Sequence, residues 1–427
     1  MKKLNTILVI AAVAAVGCTK TEVVSTPDVK IGYQVANYST QTKADPEDGG
    51  FLKELAGLGV AAADASFESK AFINADNGNG GHSFNTFFEE TIVWNSTATQ
   101  WEPDSKEYYW PKSPKSNIDF FSWYNYGTGV VTPTLNYSGT SATMTWTNTP
   151  VPSKADILFA DIAFHQQKNT SSVAPYGKDG VTEGVPTLFH HALAQVKFTA
   201  KIKDNCDQKA DSKHSGKYTF WEVKLSNLAI AANKIHANGT LTLTGADPDT
   251  YDAAASITPW TNAAWTNAET PSYVATNTAW FTTDAATGAA ALTTTTANLI
   301  PDTHMGSGFV AVRPQAIGDD VTLGFKMTIT TYYGTDLASA KSAGATNTEV
   351  IDVVAYDGTT YDAAPNNIYT ATGIQLNKLG ASPITAWEMN HKYTYNLIID
   401  PSTNTILYDP AVEAWAAEST GTANIPE

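Results

Sequence analysis

Leu188-Phe189-His190-His191-Ala192-Leu193-Ala194-Gln195-Val196-Lys197-Phe198-Thr199-Ala200-Lys201-Ile202 sets the fold class. From Val196 onward apolar and polar residues alternate, with Val196, Phe198, Ala200 and Ile202 in phase. Successive side chains on a strand point to opposite faces, so a period of two makes a half-buried strand. His190 and His191 are neighbours in the same run. On a strand they face opposite ways, which argues for one buried, hydrogen-bonded ring and one exposed ring rather than a shared metal ion.

The same signature recurs on both sides of this stretch. Ile31, Tyr33 and Val35 alternate near the amino end, and residues 66–73, 82–94 and 118–126 read as strands. Residues 155–164 form one more apolar run, and 218–230, 239–243, 321–333, 350–356, 393–399 and 406–408 follow in the second half. Residues 74–81 (NADNGNGG) are a turn cluster, and Asn238-Gly239 is a hairpin-type turn dipeptide. Residues 51–60 fit either a short helix or a strand. No long segment has a period of 3.6, so helices should be few and short. Many short strands without helical periodicity predict an all-β chain of two antiparallel β-sandwiches in tandem, of transthyretin or immunoglobulin style. The expected division is 29–185 and 186–427, with a tether over 18–28. Residues 245–303, rich in Ala, Thr and Asn, read as an insertion that carries Trp260, Trp265 and Trp280 and should form extra hairpins or be mobile.

Composition narrows function. The 427 residues are 42% hydrophobic and 11% aromatic, too apolar for a disordered chain. Forty-two acidic residues against 26 basic ones give a net charge of −16, with Arg313 the sole arginine. That balance argues against nucleic acid, whose phosphates need clustered Lys and Arg. No zinc-protease helix, nucleophile elbow, phosphate loop or dinucleotide fingerprint is present. Asp247, Asp249 and Asp252 could offer oxygens to calcium but lack the glycine and distal glutamate of a calcium loop, and read more simply as a solvated acidic turn. Cys206 lies between Asn205 and Asp207, in an acidic surround that raises a thiol pKa. No cofactor and no enzyme activity are expected.

The amino end suggests a compartment. Lys2 and Lys3 precede an apolar stretch over 4–16 that is too short for a membrane-spanning helix, which needs about 20 residues. Ala15-Val16-Gly17-Cys18 resembles the lipobox of bacterial lipoproteins. Cleavage before Cys18 would remove residues 1–17 and leave Cys18 as the lipid attachment site. Cys206 would then have no disulfide partner in the chain.

Four further blocks point to a family. Tyr108-Tyr109-Trp110-Pro111 is followed by Ile118-Asp119-Phe120-Phe121-Ser122-Trp123-Tyr124, and then by Asp156-Ile157-Leu158-Phe159-Ala160. The stretch 188–198 comes next, and Tyr393-Thr394-Tyr395 with Val412-Glu413-Ala414-Trp415 closes the series. In order and spacing these resemble the fimbrillins of Gram-negative anaerobes, the lipoprotein-derived subunits of type V pili and their Mfa-like relatives. The resemblance implies a surface lipoprotein of the outer membrane that supports adhesion. It implies assembly into a fimbria by strand exchange after a protease removes the first strand. The implied partners are other fimbrial subunits, the processing protease and, through lipid, the outer membrane. The removable strand would carry Ile31, Tyr33 and Val35, expected at a sheet edge, and finding it locked centrally between two others, unreachable and irreplaceable, would collapse the scheme. Lys43 stands where the family commonly has an arginine for cleavage. Ile406, Tyr408 and Val412 supply a partial donor row interrupted by Pro410. The alternative is a non-polymerising surface lipoprotein that binds glycans or host ligands through Trp260, Trp265 and Trp280, since exposed indoles stack on sugars.

Replacing Cys18 with alanine should abolish incorporation of labelled palmitate and move the protein from the membrane pellet to the soluble fraction; labelling and fractionation of cells would check this.

Overall fold

The alternating rows become strands because each buries one apolar face. The computed structural model describes residues 30–37, 51–77, 82–98, 100–113, 115–127, 129–150, 155–167, 184–231, 235–236, 238–247, 255–266, 279–282, 291–300, 308–319, 321–353, 374–378, 383–402 and 405–414. Cys18 and Lys43 lie outside these residues. The first half runs β1 (Tyr33–Asn37), α1 (Phe51–Gly57), β2 (Ser66–Asp76), β3 (His82–Asn95), β4 (Gln100–Pro103), β5 (Asn117–Tyr126), β6 (Thr134–Tyr137), β7 (Ser141–Pro150), β8 (Asp156–Ala160), β9 (Ile162–Gln166) and β10 (Val185–His191). The second runs β11 (Ala194–Ile202), β12 (Gln208–Ala210), β13 (Tyr218–Ala231), β14 (Asn238–Ala246), β15 (Ser256–Thr258), β16 (Asn262–Thr266), β17 (Ala279–Thr282), β18 (Ala297–Asn298), β19 (Val310–Val312), β20 (Gln315–Ala316), β21 (Thr322–Gly334), α2 (Leu337–Ala343), β22 (Asn347–Val353), β23 (Ile374–Gln375), β24 (Ala386–Trp387), β25 (His391–Asp400) and β26 (Thr405–Ala414). The ambiguous stretch after residue 50 is thus a helix.

The chain is all-β with sandwich-like sheets, as expected. In the first half β5, β2, β3, β4, β1, β10 and β8 pair in that order, and β8 pairs back onto β5. Continuous pairing therefore joins the two sheets of this sandwich along both sides. Tyr33, Phe67, Trp101, Phe120, Leu158 and Phe189 fill the interior, and α1 adds Phe51 and Leu55. Phe51 stacks on Phe189 with ring centroids 4.6 Å apart. β5 is apolar on both faces because it serves two cores. Ile118 and Phe120 face this interior, whereas Phe121 and Trp123 face a second core with Met144, Trp146, Leu241 and Leu243. The second half is a sandwich of the sheet β18-β11-β25-β26 and the sheet β12-β13-β21-β22 around a third core.

Two features differ from the sequence reading. The run 155–164 is two strands: it breaks at Asp161, whose N–H donates to Leu188 O, and β9 pairs with a different part of β5 than β8 does. Asn238-Gly239 is no hairpin turn. It opens β14, which pairs with β7 of the first half and with β16 from the Trp-rich insertion. The glycine is there for space: a Cβ on Gly239 would collide with Nη1 of Arg313, which donates to Asn238 O.

Gly239→Ala should therefore cost about 1–3 kcal/mol, the usual range for overpacking a filled site, read from the denaturant midpoint of the purified protein.

Candidate interaction site around the first strand

β1 is short, and its surroundings explain its conformation. Gly32 O accepts from the N–H of Val185 at 2.7 Å, and Ile31 N–H donates to Tyr108 O at 2.8 Å. Even-numbered backbone groups thus face β10 and odd-numbered ones the β4 side. β1 pairs parallel with β10 over five residues and antiparallel with β4 only at Tyr33↔Trp101. Lys30 forms a single bridge with Tyr109 and an ion pair with Glu107. Gly184 leads into β10 where a Cβ would lie 3.0 Å from Gln34 N, so glycine permits the close approach.

The expected edge placement is corrected: β1 is enclosed between β4 and β10. The cause is its row of Ile31, Tyr33 and Val35, which the interior buries to 2%, 3% and 5% exposure. A strand buried that deeply needs partners for its backbone on both sides. The Tyr33 ring meets Phe67 and Phe120 edge-on at 5.5 and 5.9 Å. Its hydroxyl donates across the interior to Ser69 Oγ at 2.9 Å, and Ser122 Oγ donates to the same atom at 3.0 Å. Burial drives the Tyr33 phenol well above its usual pKa, so it stays a donor. Ser69 and Ser122 carried no sequence signal, since their partner lies on a distant strand.

The residues of the expected donor row lie in β26, an edge strand that pairs with β25 alone among the described residues. Ile406, Tyr408 and Pro410 stand opposite Ile399, Leu397 and Tyr395. Asp400 pins the turn before β26. Ser402 donates to it through its backbone N–H at 3.1 Å and its hydroxyl at 2.6 Å, and Lys203 Nζ donates at 3.1 Å. Burial alone would raise this carboxyl, but the hydrogen bonds win and hold it at about 2.

The other residues picked from sequence are not brought to this site. Trp260 is buried in the second core and donates to Ala160 O at 2.8 Å. Trp265 donates to Ala192 O at 2.7 Å and carries the Arg313 guanidinium over its ring at 5.7 Å. Trp260 is buried and Trp265 half-buried, and their packing holds the insertion against the first half. Trp280 lies in β17, paired with β13. His191 is buried against Asp156 at 3.1 Å, and His190, on the other face, meets Asp161 at 3.0 Å. Asp247 meets His165 Nε2 at 2.9 Å. Asp119 joins that cluster: it accepts the His165 N–H at 2.8 Å and the Tyr137 hydroxyl at 3.0 Å, and burial pushes it up to about 6. These groups are shut away from solvent and tie β14 to β9 and β5. Asp249 and Asp252 lie outside the described residues. No group of three or more His, Cys, Asp or Glu side chains suited to a metal ion occurs among the described residues. Burial first, and Asp400 second, push the Cys206 thiol up, so it is a poor nucleophile.

No protein-family model matches the chain, and no curated protein matches it. Among solved structures it is similar to a fimbrial protein from Bacteroides vulgatus, at 15% identity over 91% of this chain and 99% of that one, with a TM-score of 0.42. It is also similar to the C-terminally truncated tip fimbrial protein Mfa3 from Porphyromonas gingivalis, at 9% identity over 91% of this chain and 100% of that one, with a TM-score of 0.27.

The Asp400 turn has a pH signature. A carboxyl lowered to about 2 in the fold from 3.8 stabilises above pH ~4, and that stability drains away as pH falls toward 2. Asp400→Asn should cost about 2 kcal/mol near neutral pH, and the gap to the unaltered protein should close by about pH 2, as followed by denaturant melts across that range.

Proposed function

We propose that the chain is a structural subunit of a surface fimbria, assembled by strand exchange at the position of β1. One observation carries this reading: an apolar row of three residues, Ile31, Tyr33 and Val35, sits in the wall of the first sandwich between two strands that it joins. Burying such side chains is worth roughly 1.5–3 kcal/mol each, or about 5–9 kcal/mol together. That rivals the stability of a whole domain. Removal of β1 leaves a slot with unpaired backbone on both sides and an emptied apolar floor. A second strand filling it recovers main-chain hydrogen bonds and alternate side-chain pockets, which is β-augmentation.

Enclosure raises the barrier to losing β1, so exchange needs a cut chain and local opening. Among the described residues β1 pairs with β10 at five positions and with β4 at one, Ile31 and Lys30 being held instead by Tyr108 and Tyr109, so opening is proposed to start on the β4 side. Lys43 is the proposed cleavage point, Cys18 the proposed lipid site that brings the precursor to the outer membrane, and β26 the proposed donor. An edge strand suits donation because it gives up one ladder and not two. The stretches 18–28, 29 to about 191, and about 194 to the last residue then act as tether, acceptor sandwich and donor sandwich. The role is mechanical, with no reaction catalysed. Trp260 is buried and its indole N–H donates within the fold, and Trp265 packs partly against the same core, which gives the glycan-binding alternative less support than strand exchange.

Limited digestion of the mature protein with a Lys-specific protease tests the reading. The expected result is a cut after Lys43, release of the amino-terminal fragment, and ladders or filaments visible by electron microscopy. A cut protein that stays monomeric with the fragment still bound would refute it.

A further inference from the structure

We propose that the Ser69–Ser122 hydroxyl pair on the floor of the slot selects the strand that fills it, admitting a segment with a tyrosine two residues after an isoleucine. This rests on the strand-exchange reading above and says which strand the slot accepts.

The two serines are out of place as core residues. Ser69 is in phase with Phe67 and Ala71 on β2, and Ser122 with Ile118 and Phe120 on β5. They stand directly opposite one another, at 0% and 3% exposure. A buried hydroxyl costs free energy unless it is hydrogen-bonded. Here Ser69 Oγ takes one bond from Ser122 and one from Tyr33. A filling strand with phenylalanine or leucine in place of Tyr33 would reproduce the apolar packing and leave Ser69 without its cross-core donor. The penalty falls on the wrong strand, which is how a site built for a hydroxyl discriminates.

The chain contains two Ile-x-Tyr sequences, Ile31-Gly32-Tyr33 and Ile406-Leu407-Tyr408. The second lies in β26, so the geometry points to β26 of a second copy as the occupant. Laid in the same direction, Leu407 replaces Gly32, where an added Cβ would meet Trp101 O at 3.4 Å, an ordinary contact. Pro410 replaces Val35, whose backbone faces the β4 side. Among the described residues the pairing with β4 is Tyr33↔Trp101, so the missing N–H of proline forfeits no hydrogen bond between described residues.

The test uses the mature protein cut after Lys43 and freed of its fragment. Fluorescent peptides covering residues 31–37 and 406–412 are titrated against it, each also in a Tyr→Phe form. Both tyrosine peptides should bind roughly tenfold more tightly than their phenylalanine forms, the effect of one buried hydrogen bond. The preference should vanish on the Ser69→Ala/Ser122→Ala protein. Equal binding of tyrosine and phenylalanine forms to the unaltered protein overturns the selection while strand exchange stands. Binding of no peptide overturns strand exchange and the selection with it. Tyrosine preference for 31–37 with no binding of 406–412 keeps the selection and overturns β26 as its occupant. The peptide comparison on the unaltered protein decides the matter even where the double serine variant folds poorly.

Discussion

The parallel pairing of β1 with β10 is the constraint from which the first sandwich follows. Parallel neighbours cannot be joined by a tight hairpin, and Tyr33 and Val185 are far apart in the chain. Nearly the whole first half therefore lies between the two strands in the chain. Their pairing completes the ring of strands from β5 through β1 and β10 to β8 and back to β5, which leaves none of those strands at an edge. The element that completes the wall is a short one, of five residues. Stability and vulnerability thus sit in the same residues.

The second half repeats this arrangement with a longer pairing. Its first strand, β11, also pairs parallel with a late strand, β25, but over eight residues, from Gln195↔Lys392 to Ile202↔Ile399. It is held on its other side by β18 and β19. Val196, Phe198, Ala200 and Ile202 are all buried in an interior that is overwhelmingly apolar. Among the described residues β1 has five pairs with β10 and one with β4, and its interior contact is partly polar. The same topological idea appears twice, with the longer parallel pairing in the second half.

The repeating rows were legible in the sequence because period two survives wherever one face meets a core and the other meets water. Val196 to Ile202 and Tyr393 to Ile399 are of this kind. Legibility failed where both faces are buried. In 155–164 nearly every residue is apolar, so nothing marks Asp161 as a break between strands that serve different neighbours. It failed again where a residue's reason lies far away in the chain: Gly239 is small because of Arg313, not because it turns. At the slot, Ile31, Tyr33 and Val35 were readable as an inward row, but their enclosure was not, since pairing partners leave no periodic trace. Ser69 and Ser122 look like ordinary solvent-facing serines until the strand across the core supplies Tyr33.

The charge inventory bears on how such a slot could be opened. Arg313 is the sole arginine, and it is wholly buried. Burial lowers its pKa to about 10, which still leaves it charged at neutral pH. Its compensation is one bond to Asn238 O and the face of Trp265. A protease that reads arginine would meet no accessible target in the folded chain, because the side chain it must grip supports the junction of β14 and β16. Lysines are different: Lys30, Lys203 and Lys341 all reach solvent from surface ion pairs. Any cut that spares the fold must therefore follow a lysine or another exposed residue.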